Sequence, residues 1–328
     1  MTKQPRGARA VILAVAVIAS ATPLHTLAQG AYPSRPVRII APTAPGGGND
    51  VVSRLLAQGL SERLGRPVLV ENRAGAGTVI GSEVVAKAAP DGHTLLMAVA
   101  AFTINPATYK KMPFDTLRDF TPITQALFVP NLMVVHPSLP VRSVKDLIAL
   151  AKARPGQLSY SSGGQGTNSH MAAELFASMA GIRLLHVPYK GSTPAMIDLI
   201  AGNVTMQTTS ASSLIPHVRA GRLRALGVSS AQRIAIAPDI PTIIEAGLPG
   251  YETSQWSGLL APAGTPREII TRLHKETVAV LRTPVAMEHL ARDGSVVVAG
   301  TPEQFAELLS SEVAKWAKVA KAAGIQPQ

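Results

Sequence analysis

The sequence contains no cysteine, and this absence excludes several kinds of chemistry. A chain without cysteine has no disulfide framework, no thiolate nucleophile and no cysteine-ligated metal centre. It also has no cysteine behind its N-terminal segment to carry a lipid anchor. The H-E-x-x-H, phosphate-loop and G-x-S-x-G motifs of common enzyme classes are missing too. We therefore expect no metal and no cofactor.

Aromatic residues are scarce, at 4% of the chain, whereas the net charge is +11. A basic balance fits nucleic acid, an anionic membrane or a small anionic ligand. The basic residues are scattered and few aromatic side chains are present for base stacking, so we do not expect nucleic acid binding. Two interpretations remain open: a soluble protein that is merely basic, and one that binds a small anion.

Long apolar runs are also absent, and the longest one lies at the N-terminus. Lys3, Arg6 and Arg9 precede an apolar run over residues 10–21, and residues 26–28 fit a signal-peptidase site. The run is shorter than the roughly 20 apolar residues that a membrane span needs. The pattern predicts a cleaved signal peptide over residues 1–28 rather than an anchor. We expect a soluble protein in the periplasm of a Gram-negative cell, with a net charge of +8 once those three basic residues are removed.

The remaining chain alternates short β-branched runs with amphipathic helical stretches, which predicts an α/β fold with parallel-rich sheets flanked by helices. Nine strands are expected, over residues 37–41, 68–71, 95–98, 132–135, 158–161, 184–187, 204–207, 223–228 and 258–261. Ser143, Thr265 and Thr301 are expected to cap helices, and Gly324 is expected to follow the last one.

No linker divides the chain into consecutive domains, although about 300 mature residues suit two lobes. We expect interleaved lobes, one from residues 29–127 and 255–328 and the other from residues 128–254. The chain would cross between them near residues 125–131 and 249–256, and Trp256 is expected to pack near a crossing.

Two glycine loops follow strands and open helices, and each predicts a small anion site. Glycines let backbone N–H groups approach a ligand, and the helix N-terminus adds partial positive charge. If the loops face each other across a cleft, together they can hold a carboxylate; each alone can equally be a tight turn. The candidate ligand-binding residues are Thr43, Pro45, Gly46, Gly47, Asn49 and Asp50 in the first loop, and Ser162, Gly163, Gly164, Thr167, Asn168 and His170 in the second. Asp50 also fits a helix cap, and His170 also fits a residue that only fixes its loop.

Further motifs extend over nearly the whole mature chain. They include residues 32–36, Pro45-Gly46-Gly47 with Asp50, residues 70–73, residues 88–92, Gly166-Thr167 with His170, residues 186–191, Pro241-Thr242 and residues 245–247. With these motifs the chain from Tyr32 to Ile325 resembles the Bug (TctC-like) solute-binding receptors of tripartite tricarboxylate transporters. The resemblance implies a two-lobed periplasmic binding protein of the type II clamshell class, not an enzyme, that delivers an organic acid to membrane permease subunits. We expect a monomer.

Three departures from the family pattern bear on the ligand. Thr43 stands where family members often carry an aromatic residue, and Thr208, Thr209 and Ser210 stand where Phe-Asp-Asn is common. Residues 98–102, which include the candidate ligand contacts Ala100 and Ala101, are unusually apolar. A missing acidic group at position 209 favours a mono- or dicarboxylate over an amino acid, unless the change is drift without effect.

Pro188, Tyr189 and Lys190 follow a predicted strand and are further candidate ligand contacts, although Lys190 also fits a solvated surface lysine.

Two other classes of function remain open from the sequence. Residues 75–81 are similar to a dinucleotide-binding fingerprint, but the third glycine comes one residue late and no acidic residue follows at the expected distance. An exported α/β enzyme is thus the weaker alternative. A ligand-binding sensor subunit that feeds a signalling partner is the other.

Overall fold

The computed structural model describes residues 32–292 and 294–327. The predicted signal peptide of residues 1–28 lies outside the described residues. Within the described part of the chain, no helix has the length and apolar character needed to cross a membrane.

All nine predicted strands are present, and one short strand was not predicted. The strands are β1 Val37–Ala41, β2 Val68–Asn72, β3 Thr94–Val99, β4 Phe120–Val135, β5 Ser159–Ser162, β6 Leu185–Pro188, β7 Met206–Ser210, β8 Arg224–Val228, β9 Ser254–Pro262 and β10 Val296–Val297. Two residues are too few to show a β pattern, so β10 gives no usable signal in the sequence.

Helices fall between most of the strands, as the alternation predicts. They are α1 Gly48–Leu64, α2 Val79–Ala86, α3 Ala101–Thr108, α4 Val144–Ala153, α5 Asn168–Ala180, α6 Ser192–Ile200, α7 Ala211–Arg219, α8 Arg267–Leu281, α9 Pro284–Arg292 and α10 Pro302–Ala322. A 3₁₀ turn, Ala76–Thr78, precedes α2.

The sheet follows the order β2-β1-β3-β9-β4-β7-β5-β6, with β8 and β10 also paired to β4. The groups β2-β1-β3 and β7-β5-β6 contain the parallel pairs that the alternation predicts. Antiparallel pairs join the two groups, because β9 runs opposite to β3 and β4 runs opposite to both β9 and β7. The α/β class is confirmed.

Strand β4 differs most from its prediction, since it spans 16 residues rather than residues 132–135 alone. Proline removes a donor from the hydrogen-bond ladder and argues against a central strand in sequence, and this strand contains two. Pro122 lies at a shift of register, and Pro130 is the last residue paired with β9. From Asn131 onward the strand pairs with β7 instead. This change of partner falls within the predicted crossing at 125–131, while the lobe boundaries themselves stay a prediction.

Helix α10 packs into two separate hydrophobic clusters. Phe305 belongs to the cluster of β1, β3 and β9 and lies edge-on to Trp256, at 5.5 Å between ring centroids. Trp316 lies in the cluster built around Tyr160, Phe176 and Tyr251. Full burial of one such large side chain contributes about 1.5–3 kcal/mol, so the last helix stabilises both parts of the sheet.

Two of the three predicted helix caps are confirmed. Ser143 accepts a hydrogen bond from the Asp146 N–H, and Thr301 forms a capping box with Gln304. Gly324 has a positive φ of 64° just after α10, as predicted. The Thr265 prediction is wrong: α8 begins at Arg267, and the Thr265 hydroxyl donates to the carbonyl of Pro262 instead.

Candidate ligand-binding site

A cavity of about 600 Å³ lies where four strand-to-helix junctions meet: β1–α1, β3–α3, β5–α5 and β7–α7. Its lining consists of Thr43, Gly47, Gly48, Asn49, Val51, Val52, Val99, Ala100, Ala101, Leu127, Val129, Thr167, Asn168, Ser210, Ser212, Gln255, Trp256, Leu290 and Ser295. All of these lining residues are uncharged. Within the described residues, no group of histidine, aspartate and glutamate is arranged to hold a metal ion.

The N-termini of the surrounding helices supply positive potential to this cavity. The first N–H groups of a helix have no partner inside the helix, and they favour an anion. No side chain caps α1, α3 or α7, whose N-cap residues are Gly47, Ala100 and Ser210. Of these four helices around the cavity, α5 alone has a side-chain cap: the hydroxyl of Thr167 accepts from the His170 N–H. The arrangement therefore suits a small anion.

Asp50 braces the first loop from within α1. Its carboxylate accepts hydrogen bonds from the Gly46 N–H, the Arg54 side chain and the Asn72 amide, each at 2.9 Å. The bond from Arg54, with those from Gly46 and Asn72, lowers the pKa of Asp50 to about 2. Asp50 is 3% exposed and does not line the cavity. Asp50 is therefore not the N-cap of α1; its carboxylate holds the loop through Gly46, the residue before the N-cap.

Asn49 and Thr43 form the polar part of the first loop that reaches the cavity. The Asn49 amide donates to the Met97 carbonyl at 3.3 Å and to the Thr43 hydroxyl at 3.4 Å, and its oxygen accepts from Ser257 at 3.2 Å. These contacts fix Asn49 between the loop that follows β1 and the strands β3 and β9. Pro45 and Gly46 shape the loop without lining the cavity.

Gly47 and Gly46 differ in whether their backbone conformation requires glycine. A Cβ on Gly47 would meet only the Ala44 carbonyl, at 3.7 Å, and its φ of −80° suits any residue. Gly46 instead has a φ of +79°, which favours glycine. Gly47 therefore borders the cavity without a conformational need for glycine.

The second loop uses its glycine amides internally. Gly163 donates to the Ser169 hydroxyl at 3.0 Å, Gly164 to the Ser162 hydroxyl at 3.1 Å, and Gly166 to Nδ1 of His170 at 3.1 Å.

Of the candidates in this loop, only Thr167 and Asn168 line the cavity. The Asn168 side chain accepts from Asn131 at 2.9 Å and donates to the Ser254 carbonyl at 3.1 Å, so it links α5 to β4 and β9.

His170 belongs to a buried cluster behind the second loop. Its ring stacks on His186 with 4.0 Å between centroids, and His186 bonds to the Ser162 hydroxyl at 2.6 Å. Burial, together with the neighbouring His186, lowers the pKa of His170 to about 3, and burial lowers the pKa of His186 to about 4. Tyr160 donates to Glu174 in the same cluster, and burial raises the pKa of Glu174. Both imidazoles are therefore neutral near pH 7.

The candidates at the end of β6, just after it and within β7 lie away from the cavity, apart from Ser210. The Tyr189 hydroxyl donates to Asp198 at 2.5 Å, and burial together with this bond raises the pKa of Tyr189 to about 12. Pro188 and Lys190 are exposed. Thr208 and Thr209 are buried in β7, opposite Met133 and Leu132 of β4.

Several lining residues were not among the sequence candidates. Leu127 and Val129 lie in the first half of β4, which was not predicted from the sequence. Gln255 of β9 pairs with Val129. Leu290 and Ser295 reach the cavity from the C-terminal part of the chain. The sequence offers only a continuous apolar run over residues 126–130 there, which does not distinguish Leu127 and Val129 from their neighbours.

These features define the class of protein: a two-lobed α/β solute-binding protein of the clamshell type, with a cavity at its strand-to-helix junctions. The model of the tripartite tricarboxylate transporter family receptor, TctC, matches residues 52–325. The chain belongs to this family.

Relatives and solved structures agree with that assignment. A UPF0065 protein from the tcbD-tcbE intergenic region of Pseudomonas sp. strain P51 is 40% identical, over 95% of this chain and 94% of its own. An R. palustris protein solved with adipate is 38% identical and has a TM-score of 0.77, covering 90% of this chain and all of its own.

Two further solved structures cover similar shares of the chain. The periplasmic binding protein BugD is 34% identical with a TM-score of 0.74, covering 90% of this chain and 100% of its own. MatC from Rhodopseudomonas palustris, solved with malate, is 29% identical with a TM-score of 0.74, covering 88% and 100%.

Membership in a receptor family sets the enzyme alternative aside. The glycine run at residues 75–81 is accounted for by packing, since a Cβ on Gly81 would lie 2.8 Å from the Arg73 carbonyl.

Proposed function

We propose that this chain captures a small mono- or dicarboxylate in the cavity between its lobes and delivers it to the permease subunits of a tripartite tricarboxylate transporter. The observation that carries the proposal is the meeting of three uncapped helix N-termini at an uncharged cavity. Such N-termini attract a carboxylate, and no lining side chain repels it.

The proposal places polar contacts on both sides of the cavity. On one side are the first-turn N–H groups of α1 beside Gly47 and the Thr43 hydroxyl. On the other side are the Ser210 and Ser212 hydroxyls of the α7 junction and the Thr167 hydroxyl, whose proton would turn from the Gly164 carbonyl to the ligand. Bridging water would complete the set. Hydrogen bonds to a charged group contribute about 1.5–3 kcal/mol each, so a few of them give useful affinity.

The proposal also covers the boundaries of the two lobes and the cellular location of the protein. Residues 29–127 with 255–328 would form one lobe and residues 128–254 the other, and the ligand would stabilise their closed arrangement. The signal peptide of residues 1–28 would direct a monomer to the periplasm. Support comes from the neighbours of similar fold that were solved with adipate and malate.

The test is calorimetry of the purified mature protein, after denaturation and refolding to remove retained ligand. The panel contains acetate, butyrate, hexanoate, benzoate, succinate, adipate, malate and citrate, each compared with its neutral amide. We expect at least one carboxylate to bind and its amide to bind at least tenfold more weakly, because the amide lacks the charge that the helix N-termini recognise. An equal affinity for acid and amide would contradict the proposal.

A further inference from the structure

We propose that the ligand is a carboxylate with an apolar body, an aliphatic chain or an aromatic ring, rather than a hydroxylated di- or tricarboxylate. This inference rests on the proposed function and names the ligand class for the same cavity. It follows from the side of the cavity that we call the apolar wall: Val51, Val52, Val99, Ala100, Ala101, Leu127, Val129 and Leu290.

The register of three strands builds the centre of the apolar wall. Ser257 of β9 lies opposite Val99 of β3 and opposite Leu127 of β4, and Val129 lies two residues further along β4. Directly opposed residues of antiparallel strands project from the same face of a sheet, as do residues two apart. Val99, Leu127 and Val129 therefore present their methyl groups on one face.

Helix residues extend this apolar surface around the cavity. Val52 lies at the start of the second turn of α1 and is 5% exposed, and Ala100 is the N-cap of α3 and is 3% exposed. Leu290 of α9 is 2% exposed. Val99, Ala100 and Ala101 together supply three of the eight residues of the wall.

Two of the three side-chain amides that line the cavity, those of Asn49 and Asn168 but not that of Gln255, are already occupied. Asn49 uses its amide on Met97 and Thr43 and its oxygen on Ser257. Asn168 uses its oxygen on Asn131 and its amide on Ser254. A ligand hydroxyl placed against the wall would lose its water and find methyl groups, which is unfavourable for an unpaired polar group.

The lining also lacks a cation for additional carboxylates. No lysine, arginine or histidine occurs among the described residues that line the cavity. Two or three buried carboxylates would repel each other without a neutralising side chain. A volume of about 600 Å³ is ample for one carboxylate with a chain or ring attached.

The first experiment measures affinity by calorimetry along acetate, butyrate and hexanoate, with benzoate, and within the matched pairs butyrate and 3-hydroxybutyrate, and succinate and malate. Each added methylene that becomes buried should tighten binding about fourfold, since burial of a CH₂ is worth about 0.8 kcal/mol. We expect hexanoate to bind about 15-fold more tightly than butyrate, and each hydroxylated partner to bind at least tenfold more weakly than its match.

The outcomes separate this inference from the proposed function. Malate or citrate binding as tightly as hexanoate and benzoate would overturn the apolar-body inference and leave carboxylate binding intact. Failure of every carboxylate in the panel to bind would overturn both.

A variant pair provides a second test that is independent of any change in folding. Val99→Thr keeps the shape of the side chain and adds a hydroxyl to the wall, so the affinity ratio of hexanoate to malate should fall at least fivefold. Val70→Thr makes the same change on half-buried β2, away from the cavity, and should leave that ratio unchanged. An unchanged ratio in Val99→Thr, with melting temperatures confirming folded protein, would contradict the inference.

Discussion

The two glycine loops look alike in sequence, but different chemistry holds each one. In the first loop a carboxylate, Asp50, holds the Gly46 N–H and is held in turn by Arg54 and Asn72. In the second, neutral groups hold the glycine amides: the hydroxyls of Ser162 and Ser169 and the imidazole of His170. The comparison shows that the glycine N–H groups of such loops can form hydrogen bonds that hold the loop, instead of binding a ligand. The donors left for a ligand lie in the first helical turns and on hydroxyls.

Asp50, which holds the first loop, and His170, which holds the second, should also respond differently to acid. The folded-state pKa of Asp50 is about 2, below its ordinary value of 3.8, so its stabilising contribution is lost only as the pH falls through that range. The folded-state pKa of His170 is about 3, below 6.5. The unfolded chain therefore binds the proton first, and stability decreases as the pH falls from 6.5 toward 3. The second loop should weaken first on acidification.

The largest expected effect comes from filling the space beside the first loop without touching its brace. Gly47→Val places a branched side chain in the cavity, where its Cβ meets no close neighbour. We expect a folded monomer whose affinity for the best carboxylate falls about 100-fold or more and which fails to become compact in small-angle scattering with ligand. The wild type should compact.

The matched change in the second loop is Gly163→Ala, whose Cβ would lie 3.1 Å from the Ser192 hydroxyl. It should lower the melting temperature, whereas Gly47→Ala should not. Wild-type dimensions that do not change on ligand binding would refute the clamshell motion.

The second-largest effect is expected from removing the Asp50 carboxylate. Asp50→Ala deletes the acceptor for Gly46, Arg54 and Asn72, and should lower the free energy of unfolding by about 2 kcal/mol, since a buried partner is left unpaired. Arg54→Ala is the control, because it removes the exposed cation and its bond to Asn72 but leaves the carboxylate its bonds from Gly46 and Asn72, so it should cost less than Asp50→Ala. Urea denaturation measures both, and equal losses would show that the carboxylate holds nothing beyond Arg54.

A smaller effect is expected from the cap of the second loop. Thr167→Ala removes the hydroxyl that caps α5 and that donates to the Gly164 carbonyl at 2.7 Å, at a cost of about 1 kcal/mol. Thr301→Ala removes a similar cap from α10, away from the cavity. Stability should fall in both variants, but carboxylate affinity only in the first. Unchanged affinity in Thr167→Ala would remove that hydroxyl from the proposed site.

The smallest effect concerns the slope of stability against pH. His170→Asn keeps an acceptor near the position of Nδ1 for the Gly166 N–H but cannot titrate. The loss of unfolding free energy between pH 6.5 and 4 should therefore be shallower than in the wild type. His289→Asn, on the exposed side of α9, should keep the wild-type slope. Identical slopes in all three proteins would assign the acid sensitivity to other groups.

The sequence predicts local features well and long-range pairing poorly. Thr301 with Gln304 and Ser143 with Asp146 follow from spacing alone, because capping involves residues within one turn. The first half of β4 escaped prediction because Pro122 and Pro130 argue against a central strand, and its partners lie more than a hundred residues away in β9. For the same reason the sequence did not identify Leu127 and Val129 as lining residues. It did single out residues of the β1–α1 and β5–α5 loops that line the cavity with them.

The most direct test of the account is a crystal structure of the mature protein saturated with hexanoate. We predict carboxylate oxygens about 2.7–3.1 Å from first-turn N–H groups of α1 and from the Thr167 hydroxyl, with the alkyl chain over Leu127 and Val129. A ligand bound outside this cavity, or one whose carboxylate lies against Leu127 and Val129, would contradict the account.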